Sequence, residues 1–315
     1  MAESQLSTPV AFMIFNRPEM TARVFAAIRQ ARPSMLLVVA DGPRPNRPGE
    51  AEQCVAARAV IDQVDWECQV LTNFAETNLG CGRRISSGIT WVFEQVEEAI
   101  ILEDDCLPHS DFFPFCASLL DKYRNDERIM MIGGTNFLGQ FASPSSYIFS
   151  RYFAIWGWAT WRRAWQKYSF TLPGWESYKA QRQVAYFYPQ RYMVDHITTL
   201  FDLIQQKRID TWDIQWFYAC LFNNGLCIAP PANLIANIGS VAGTHTIDGL
   251  CEPPLLTWPL DTAALCHPSQ VFANRLYDKA LFQAHMRTSL IKRAWRKALF
   301  LRQQWKERRS LSTDR

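Results

Sequence analysis

The first half of the chain alternates short apolar runs with segments of helical length, and this alternation restricts the fold more than any other feature. The apolar runs are typical of buried strands and cover residues 10–15, 35–40, 68–71, 99–102 and 129–132. The segments of helical length cover residues 19–31, 49–64, 84–96 and 111–124. Strands and helices in alternation form a parallel sheet with helices on both faces. We therefore expect an α/β fold with a doubly wound, mostly parallel, Rossmann-like sheet.

The alternation ends near residue 139, and the second half of the chain has a different character. A tryptophan-rich stretch at residues 156–165 leads into a polar helical region, and a loop-rich segment covers residues 229–245. The sequence contains no internal repeat, no low-complexity segment and no clear linker. We therefore predict one large domain over residues 1–285, followed by a basic C-terminal helix over residues 286–315.

The charge, the cysteines and the lengths of the apolar runs narrow the class of protein. A formal net charge of +3 over 315 residues is too small to indicate a nucleic-acid partner. The nine cysteines are odd in number and include no CxxC pair, so we expect reduced thiols and a cytoplasmic location. The N-terminus has neither the basic nor the apolar region of a signal peptide. The apolar runs are too short to span a bilayer.

Polar and charged residues follow four of the predicted strands. In a doubly wound sheet, ligands bind at the carboxyl ends of the strands. The segments at these ends are Asn16-Arg17-Pro18, Asp41-Gly42-Pro43-Arg44, Asn78-Leu79-Gly80-Cys81-Gly82-Arg83-Arg84 and Glu103-Asp104-Asp105. Four such endings in succession indicate one site at this edge of the sheet.

The run Glu103-Asp104-Asp105 is the strongest indication of chemistry. Three adjacent carboxylates repel one another unless a cation neutralises them, and hard divalent ions such as Mg²⁺ and Mn²⁺ favour carboxylate oxygen, with substrate phosphates completing the shell. A bound metal also stabilises the charge on a departing diphosphate. A solvated acidic turn or a helix N-terminus explains the same run, but its position after a buried strand favours a metal site.

The other strand ends suit a nucleotide, although each also has a simpler explanation. Arg17 suits a phosphate or a uracil carbonyl, and Asp41 suits a hydrogen bond from a base imide or a ribose. An ordinary β-to-α turn with Pro18 at a helix start explains the same residues. The loop at residues 80–83 offers backbone amides and the guanidinium of Arg83 to phosphates, but it matches neither the P-loop nor the dinucleotide fingerprint.

Two further candidates lie in the second half of the chain. Asp213 lies between Trp212 and Trp216, and an aromatic setting tends to raise the basicity of a carboxylate, as a base that deprotonates a hydroxyl requires. An aspartate that caps a helix explains the same pattern. His245, in Gly243-Thr244-His245, is one of five histidines and has either a binding or a structural role.

Taken in order, these motifs resemble the GT-A glycosyltransferases, and more narrowly the eukaryotic N-acetylglucosaminyltransferase I group and its bacterial relatives. The resemblance covers residues 10–246 and rests on Asn16-Arg17, Asp41, Arg83-Arg84, Glu103-Asp104-Asp105, Trp156-Gly157-Trp158, Trp212-Asp213 with Trp216, and Gly243-Thr244-His245. The acidic run stands where the family has its DxD motif, and residues 108–115 are similar to the helix that follows it. The chain departs from the family in having one acid instead of two around Asp213. It also has Thr244 where the family has a serine, which keeps the hydroxyl.

The resemblance implies a role for each matching residue. The residues implied to bind the nucleotide sugar are Asn16, Arg17, Asp41, Arg83, Glu103, Asp104, Thr244 and His245. Asp105 would ligate Mn²⁺ or Mg²⁺, and Asp213 would be the catalytic base. The acceptor would contact Trp156, Gly157 and Trp158.

These observations together predict a metal-dependent, inverting glycosyltransferase that moves a sugar from a UDP-sugar to a carbohydrate acceptor, by analogy in bacterial surface polysaccharide synthesis. A sugar nucleotidyltransferase is an alternative, but it should have a glycine-rich loop where Asn16-Arg17-Pro18 follow the first strand. A non-catalytic carbohydrate-binding protein is another alternative. It would explain the 12 tryptophans, but not the acids and arginines at the strand ends.

Beyond the family motifs, residues 290–301 have an amphipathic helical pattern. At 100° per residue, the apolar side chains form one face and the basic side chains the other, and further basic residues follow at Arg302, Lys306, Arg308 and Arg309. One interpretation is a helix docked on its own domain with a solvated basic face. The other is an interfacial helix on an anionic inner membrane, which would suit an acceptor saccharide built on a lipid carrier.

Overall fold

A computed structural model of the chain describes residues 5–239 and 254–284. Its first half alternates strands and helices in the following order: β1 (Val10–Ile14), α1 (Pro18–Ala31), β2 (Met35–Ala40), α2 (Glu50–Ala59) with a 3₁₀ turn (Val60–Gln63), β3 (Gln69–Phe74), α3 (Cys81–Gln95), β4 (Glu98–Glu103), β5 (Cys106–Pro108), α4 (Phe112–Tyr123) and β6 (Ile129–Gly133). All the strands and helices predicted for this half are present. With the 3₁₀ turn counted as part of α2, their bounds agree within three residues.

The second half consists of short strands and of helices of 4 to 15 residues. They are β7 (Ile148–Ser150), β8 (Trp158–Trp161), α5 (Arg162–Trp165), α6 (Trp175–Ala180), α7 (Val184–Phe187), α8 (Arg191–Gln205), α9 (Asp213–Phe222), β9 (Leu226–Ala229), β10 (Ile235–Asn237) and α10 (Arg275–Phe282). The strands of this half have three or four residues each. Runs this short do not show a strand period, so the sequence pattern did not predict them.

Eight of the strands form one sheet in the order β3-β2-β1-β4-β8-β6-β9-β7, and β10 pairs with β5 in a second, two-stranded sheet. Strands β3, β2, β1 and β4 are parallel neighbours, and β6 is parallel to β9. Strand β8 runs antiparallel between β4 and β6, and β7 is an antiparallel edge strand. The predicted α/β class and the doubly wound, mostly parallel sheet are therefore confirmed.

Helices cover both faces of the large sheet, which explains why strands such as β1, β2 and β6 are continuously apolar. Along β1, Val10, Phe12 and Ile14 pack into one core with side chains of α1 and α4. The alternate residues Ala11 and Met13 pack into the opposite core with side chains of α3 and α9. Because β4 and β6 both run antiparallel to β8, the ends of β1, β2, β4 and β6 all lie at one edge of the sheet.

A third core holds the helices of the second half together. Its largest buried side chains are Trp175, Phe201 and Phe282, contributed by α6, α8 and α10. Helix α9 joins this layer to the sheet, because Trp216 packs in the core under the sheet and Tyr218 packs in the helical core. The helical layer therefore fixes the start of α9, where Asp213 lies, relative to the sheet.

Within residues 5–239 and 254–284, no helix is long and apolar enough to cross a bilayer. Thr244 and His245 and the predicted basic helix over residues 286–315 lie outside the described residues. The boundary proposed near residue 285 therefore stays a prediction.

Candidate active site

Arg17 joins the end of β1 to the acidic run at the end of β4. The two strands are parallel neighbours, and Met13 of β1 pairs with Glu103 of β4. The Nη1 atom of Arg17 donates to Oδ2 of Asp105 at 2.9 Å, and its Nη2 atom forms an ion pair with Asp104. The other carboxylate oxygen of Asp104 accepts the backbone N–H of Phe15 at 3.2 Å. The two strand ends predicted to form a site are thus in direct contact.

The acidic run carries more negative charge than Arg17 neutralises. Burial raises the pKa of Glu103 to about 8, and the charges of Asp105 and Asp104 add to this rise. Burial also raises the pKa of Asp104 to about 6, although Arg17 lowers it. Burial lowers the pKa of Arg17, but Asp104 and Asp105 outweigh that effect, so its pKa rises and it stays protonated. A second cation would therefore be electrostatically favoured beside these carboxyl groups.

Acids from other parts of the chain lie near Glu103. They can be identified from the Cys81 thiol at the start of α3, because the charges of several carboxylates act on it. The pKa of this thiol is raised to about 12, mainly by burial and then by the charges of Glu103, Asp210, Asp213 and Asp41, in that order. These carboxylates come from three separate parts of the chain: the end of β2, the end of β4 and the connection between α8 and α9 with the first residue of α9. The thiol is therefore protonated at neutral pH and unsuited to act as a nucleophile.

Asp41, at the end of β2, is bound by its own chain. Its side chain is buried, and Oδ1 accepts the backbone N–H groups of Gly42 and Leu79, each at 2.9 Å. Oδ2 accepts the side-chain amide of Asn78, also at 2.9 Å. Burial raises the pKa of Asp41, and the hydrogen bonds from Leu79 and Gly42 lower it. Asp41 therefore fixes the loop after β3 against the end of β2, and mainly Oδ2 has acceptor capacity left for a ligand.

Asn16, at the end of β1, also contacts its own chain. Its side-chain amide donates to Oε1 of Glu50 at 3.0 Å. Glu50 is buried and also binds Arg44, accepting the backbone N–H of that residue at 2.7 Å. Asn16 thus links the end of β1 to α2. Glu50 was not predicted, because it lies among other polar residues at the start of α2 and no sequence pattern distinguishes it.

The two arginines at the start of α3 have different surroundings. Arg84 is 5% exposed and donates to the carbonyl of Ala40 at 3.2 Å and to Oδ1 of Asn73 at 2.9 Å. It therefore ties α3 to the ends of β2 and β3. Arg83 is exposed, with its guanidinium carbon 5.7 Å from the ring centre of Phe170. Of the two, only Arg83 is accessible to an anionic ligand, and it is the one expected from the sequence to bind the nucleotide sugar.

Asp213 is the first residue of α9, and Oδ1 accepts a hydrogen bond from the hydroxyl of Thr211. The rings of Trp212 and Trp216, from which an aromatic setting was predicted, are both buried in the core. The phenols of Tyr152 and Tyr168 also lie within range of the charge of Asp213. Burial is the main cause of the raised pKa of each phenol, and the charge of Asp213 contributes. They lie far from Asp213 in the sequence, so no local pattern predicted them.

The predicted acceptor segment requires a correction at two of its three residues. Trp158 has no exposed surface and packs against Trp212 and Trp216, with ring centres 5.7 Å apart in both pairs. Gly157 is also buried. Its φ is +60°, and a β-carbon there would lie 2.4 Å from Cδ1 of Ile235. These two residues are structural, because β8 begins at Trp158 and is buried on both faces.

Trp156 is the residue of this segment that remains partly accessible. Its ring packs edge-on against Phe137, with centres 4.9 Å apart and an interplanar angle of 70°. Its carbonyl accepts the hydroxyl of Thr135 at 2.6 Å, which ties it to the segment after β6. Because β6 and β4 end at the same edge of the sheet, Trp156 lies at the edge that also carries Glu103, Asp104 and Asp105.

Asp105 is the carboxylate best suited to a divalent ion. Its side chain is 17% exposed, against 3% for Asp104. In the part of the chain that the structure describes, no group of three or more His, Cys, Asp or Glu side chains forms an ion cage. Mg²⁺-type sites that also hold a diphosphate need only one or two carboxylates, with phosphate oxygens and waters as the remaining ligands. The residues present therefore fit such a site.

The segment that leads towards Thr244 and His245 starts beside Asp105. The backbone N–H of Ile238 donates to the carbonyl of Asp105 at 2.8 Å. A β-carbon on Gly239 would lie 2.3 Å from Oδ2 of Asp105 and 3.0 Å from its Cβ and Cγ atoms, so a larger residue here would displace the Asp105 side chain. Gly239 was not predicted as part of the site, because an isolated glycine gives no indication of what its backbone contacts.

No protein-family model and no curated protein matches the sequence. Three solved structures illustrate what the fold is similar to. The mannosyltransferase PcManGT from Pyrobaculum calidifontis, in complex with GDP-Man and Mn²⁺, is 14% identical over 51% of this chain and 46% of its own, with a TM-score of 0.36. A UDP-glucose pyrophosphorylase complexed with UDP-glucose is 10% identical over 75% and 94%, with a TM-score of 0.37. A cytidylyltransferase from Leptospira borgpetersenii serovar Hardjo-bovis is 11% identical over 52% and 63%, with a TM-score of 0.29.

The match to the mannosyltransferase spans less than half of that protein's length. At these identities and TM-scores, the likenesses carry no argument about the chemistry of this chain. The chemistry available to this chain is instead defined by the geometry of the residues at the edge of its own sheet.

Proposed function

We propose that this protein is a metal-dependent, inverting glycosyltransferase that moves a sugar from a UDP-sugar to a carbohydrate acceptor. The observation that carries the proposal is the convergence of Arg17, Glu103–Asp105 and Asp213 at one edge of the sheet. This edge offers a guanidinium for phosphates, a partly exposed carboxylate for a cation and a separate carboxylate for a proton. A transfer from a nucleotide diphosphate needs all three.

The donor would lie over the ends of β1, β2 and β3. Arg17 and the exposed Arg83 provide positive charge for the diphosphate, and Asp41 lies where a base or a ribose would bind. A divalent ion bound by Asp105 would neutralise the charge that builds on the diphosphate as it leaves. From the resemblance alone, we infer that Thr244 and His245 close over the phosphates.

The acceptor would lie on the other side of the acidic run, near Asp213 and Trp156. Asp213 accepts the proton of the attacking hydroxyl while that oxygen forms a bond to the anomeric carbon. The bond from this carbon to the diphosphate oxygen breaks on the opposite face, so the configuration inverts and UDP leaves. By analogy with the resembled family, we infer that the acceptor is a saccharide of a bacterial surface polysaccharide.

The connection after β1 favours a glycosyltransferase over a nucleotidyltransferase. It consists of Phe15, Asn16 and Arg17, and Pro18 already begins α1. A nucleotidyltransferase would need a glycine-rich loop at this place to surround a nucleoside triphosphate. Three residues without a glycine do not provide such a loop.

A donor screen tests the proposed function. The protein is incubated with UDP- and GDP-sugars and Mn²⁺, and the release of nucleoside diphosphate is measured with and without saccharide acceptors. We expect Mn²⁺-dependent release of UDP from one UDP-sugar. Formation of a nucleotide sugar from a nucleoside triphosphate and a sugar phosphate, with no hydrolysis or transfer, would contradict the proposal.

The assignment of Asp213 as the base predicts the effect of Asp213→Asn. We expect UDP binding with Mn²⁺ to be retained and kcat to fall by at least about a hundredfold, the usual scale for the loss of a general base. Asp195→Asn, an exposed change on α8, serves as the control. A variant with near-normal turnover would move the role to another acid, with Asp210 as the next candidate.

A further inference from the structure

The loop between α8 and α9 lies directly on the first turn of α3. A β-carbon on Gly82 would lie 2.9 Å from the carbonyl oxygen of Thr211 and 2.5 Å from Oδ1 of Asp210. A β-carbon on Gly80 would lie 3.0 Å from Oδ2 of Asp210. The exposed end of Asp210 can move aside, but the Thr211 carbonyl is backbone. Gly82 is therefore required for the loop to lie this close to α3.

Thr211 is held at its backbone carbonyl and at its side-chain hydroxyl. Its carbonyl oxygen, the atom next to Gly82, accepts the side-chain amide of Gln215 at 2.8 Å. Gln215 is only 3% exposed, so this amide is fixed by the core. The hydroxyl of Thr211 donates to Oδ1 of Asp213. A continuous series of contacts therefore runs from α3 through Thr211 to the carboxylate of Asp213.

We propose that Thr211 is a positioning residue for Asp213. Gly82, in the first turn of α3, allows Thr211 and Asp213 to lie close to this turn. The inference rests on the proposed role of Asp213 as the base. The hydroxyl of Thr211 binds Oδ1, and among the described residues Oδ2 accepts no hydrogen bond. The hydrogen bond thus fixes the rotation of the carboxylate and leaves Oδ2 to take the acceptor proton. Small displacements of a reacting group are costly in rate.

The first test compares Thr211→Val with Thr211→Ser. Valine keeps the shape of threonine and removes the hydroxyl, whereas serine keeps the hydroxyl. We expect Thr211→Val to lower kcat by about ten- to a hundredfold, with the KM for the UDP-sugar and the affinity for UDP with Mn²⁺ unchanged within about twofold. Thr211→Ser should keep kcat within about threefold of the wild type. Normal kcat in the valine variant, or an equal loss in both variants, would overturn the proposal.

The second test uses two glycines of the same helix. A β-carbon on Gly88 would lie 2.5 Å from Cγ1 of Val39, so Gly88→Ala disturbs the packing of α3 on β2 away from Thr211. We expect Gly82→Ala and Gly88→Ala both to lower the thermal midpoint, and only Gly82→Ala to lower kcat, by about tenfold. An equal loss of kcat in both variants would overturn the role of Gly82. If either variant does not fold, the Thr211 pair decides.

Asp213→Asn in the same assay distinguishes the role of Asp213 as the base from the role of Thr211 in positioning it. A normal kcat in that variant would contradict the base assignment, and with it the proposed mechanism. A slow Asp213→Asn variant beside a normal Thr211→Val variant would contradict the positioning role alone.

Discussion

Arg17 balances the most negative part of the site. It is the guanidinium that contacts both Asp104 and Asp105, and its side chain is 24% exposed while that of Asp104 is 3% exposed. A buried carboxylate without a partner is costly, because burial penalises its charged form. Arg17 therefore contributes to stability as well as to the proposed binding of phosphate.

Replacing Arg17 with methionine should lower the free energy of unfolding at pH 7.5 by about 2–4 kcal/mol. The loss should be smaller at pH 5, because the pKa of Asp104 is about 6 even with Arg17 present and rises without it. Asp104 is then mostly protonated at pH 5 and no longer needs a cation. Urea unfolding at both pH values measures this difference.

The control is Arg29→Met, which removes an exposed ion pair with Asp65 and should change stability by less than about 1 kcal/mol. A loss in the Arg17 variant that is equal at both pH values would show that Asp104 is not charged in the folded protein near neutral pH.

At the residue scale, the sequence predicted the positions of charged residues better than those of aromatic residues. Arg17 and Asp105 follow buried strands, and the edge of a parallel sheet brings such positions together whatever their distance in the sequence. Trp158 was wrongly expected to contact the acceptor, because a tryptophan in a core and one on a surface give the same sequence pattern. Thr211 was missed because nothing in the sequence shows which side chain its hydroxyl contacts.

At the element scale, α10 is attached to the sheet by a buried carboxylate. Asp278 is 8% exposed; Oδ1 accepts the hydroxyl of Ser150 at 2.5 Å and Oδ2 accepts the backbone N–H of Arg151 at 3.2 Å. Burial raises the pKa of Asp278 to about 6, and the hydrogen bonds from Ser150 and Arg151 limit the rise. The folded protein therefore binds this proton more tightly than the unfolded chain does.

The raised pKa sets the sign of a pH dependence. As the pH rises from about 4 to 6, Asp278 ionises in the unfolded chain first, so it lowers the stability of the fold, by up to about 3 kcal/mol. Asp278→Asn removes this titration, so the variant should lose less stability than the wild type over that range. Thermal midpoints measured from pH 4 to pH 7 give the comparison. Parallel curves for the two proteins would contradict the assignment.

Most elements of the first half could be predicted because β1, β2, β4 and β6 are buried on both faces and contain apolar runs. The edge strand β3 is partly exposed, and only its apolar part up to Leu71 was predicted. The strands of the second half could not be predicted, because β7, β8, β9 and β10 have three or four residues each. Their pairing depends on contacts between distant segments, as when β8 inserts antiparallel between β4 and β6. The local hydrophobic periodicity of the sequence does not indicate such an insertion.

At the scale of the whole molecule, the edge of the sheet divides the site into two halves. Arg17 and Asp41 lie over the strands on one side of the acidic run, and Trp156 lies towards β6 on the other. Asp105 lies between them, next to β5 and β10. This division is what a transfer between two substrates requires, because the donor and the acceptor must meet at one carbon atom.

Residues 286–315 carry the remaining prediction about the whole molecule, and they lie outside the described residues. If they form an interfacial helix, each basic residue near an anionic surface contributes about 1 kcal/mol to binding. We expect the full-length protein to co-sediment with anionic liposomes at low salt, and truncation after His285 to abolish this. Absent binding, or binding that the truncation does not change, would indicate a helix docked on its own domain.

The most direct test of the proposed nucleotide site is calorimetric titration of UDP, with and without Mn²⁺, into wild type, Asp105→Ala and the surface control Asp65→Ala. A lost ligand would leave the charge of the diphosphate uncompensated. Mn²⁺ should therefore raise the affinity for UDP in the wild type and in the control, and Asp105→Ala should lose at least about tenfold of the Mn²⁺-supported affinity and all transfer activity. Equal affinities for UDP with Mn²⁺ in the wild type and in Asp105→Ala would contradict the metal site, and with it the proposed function.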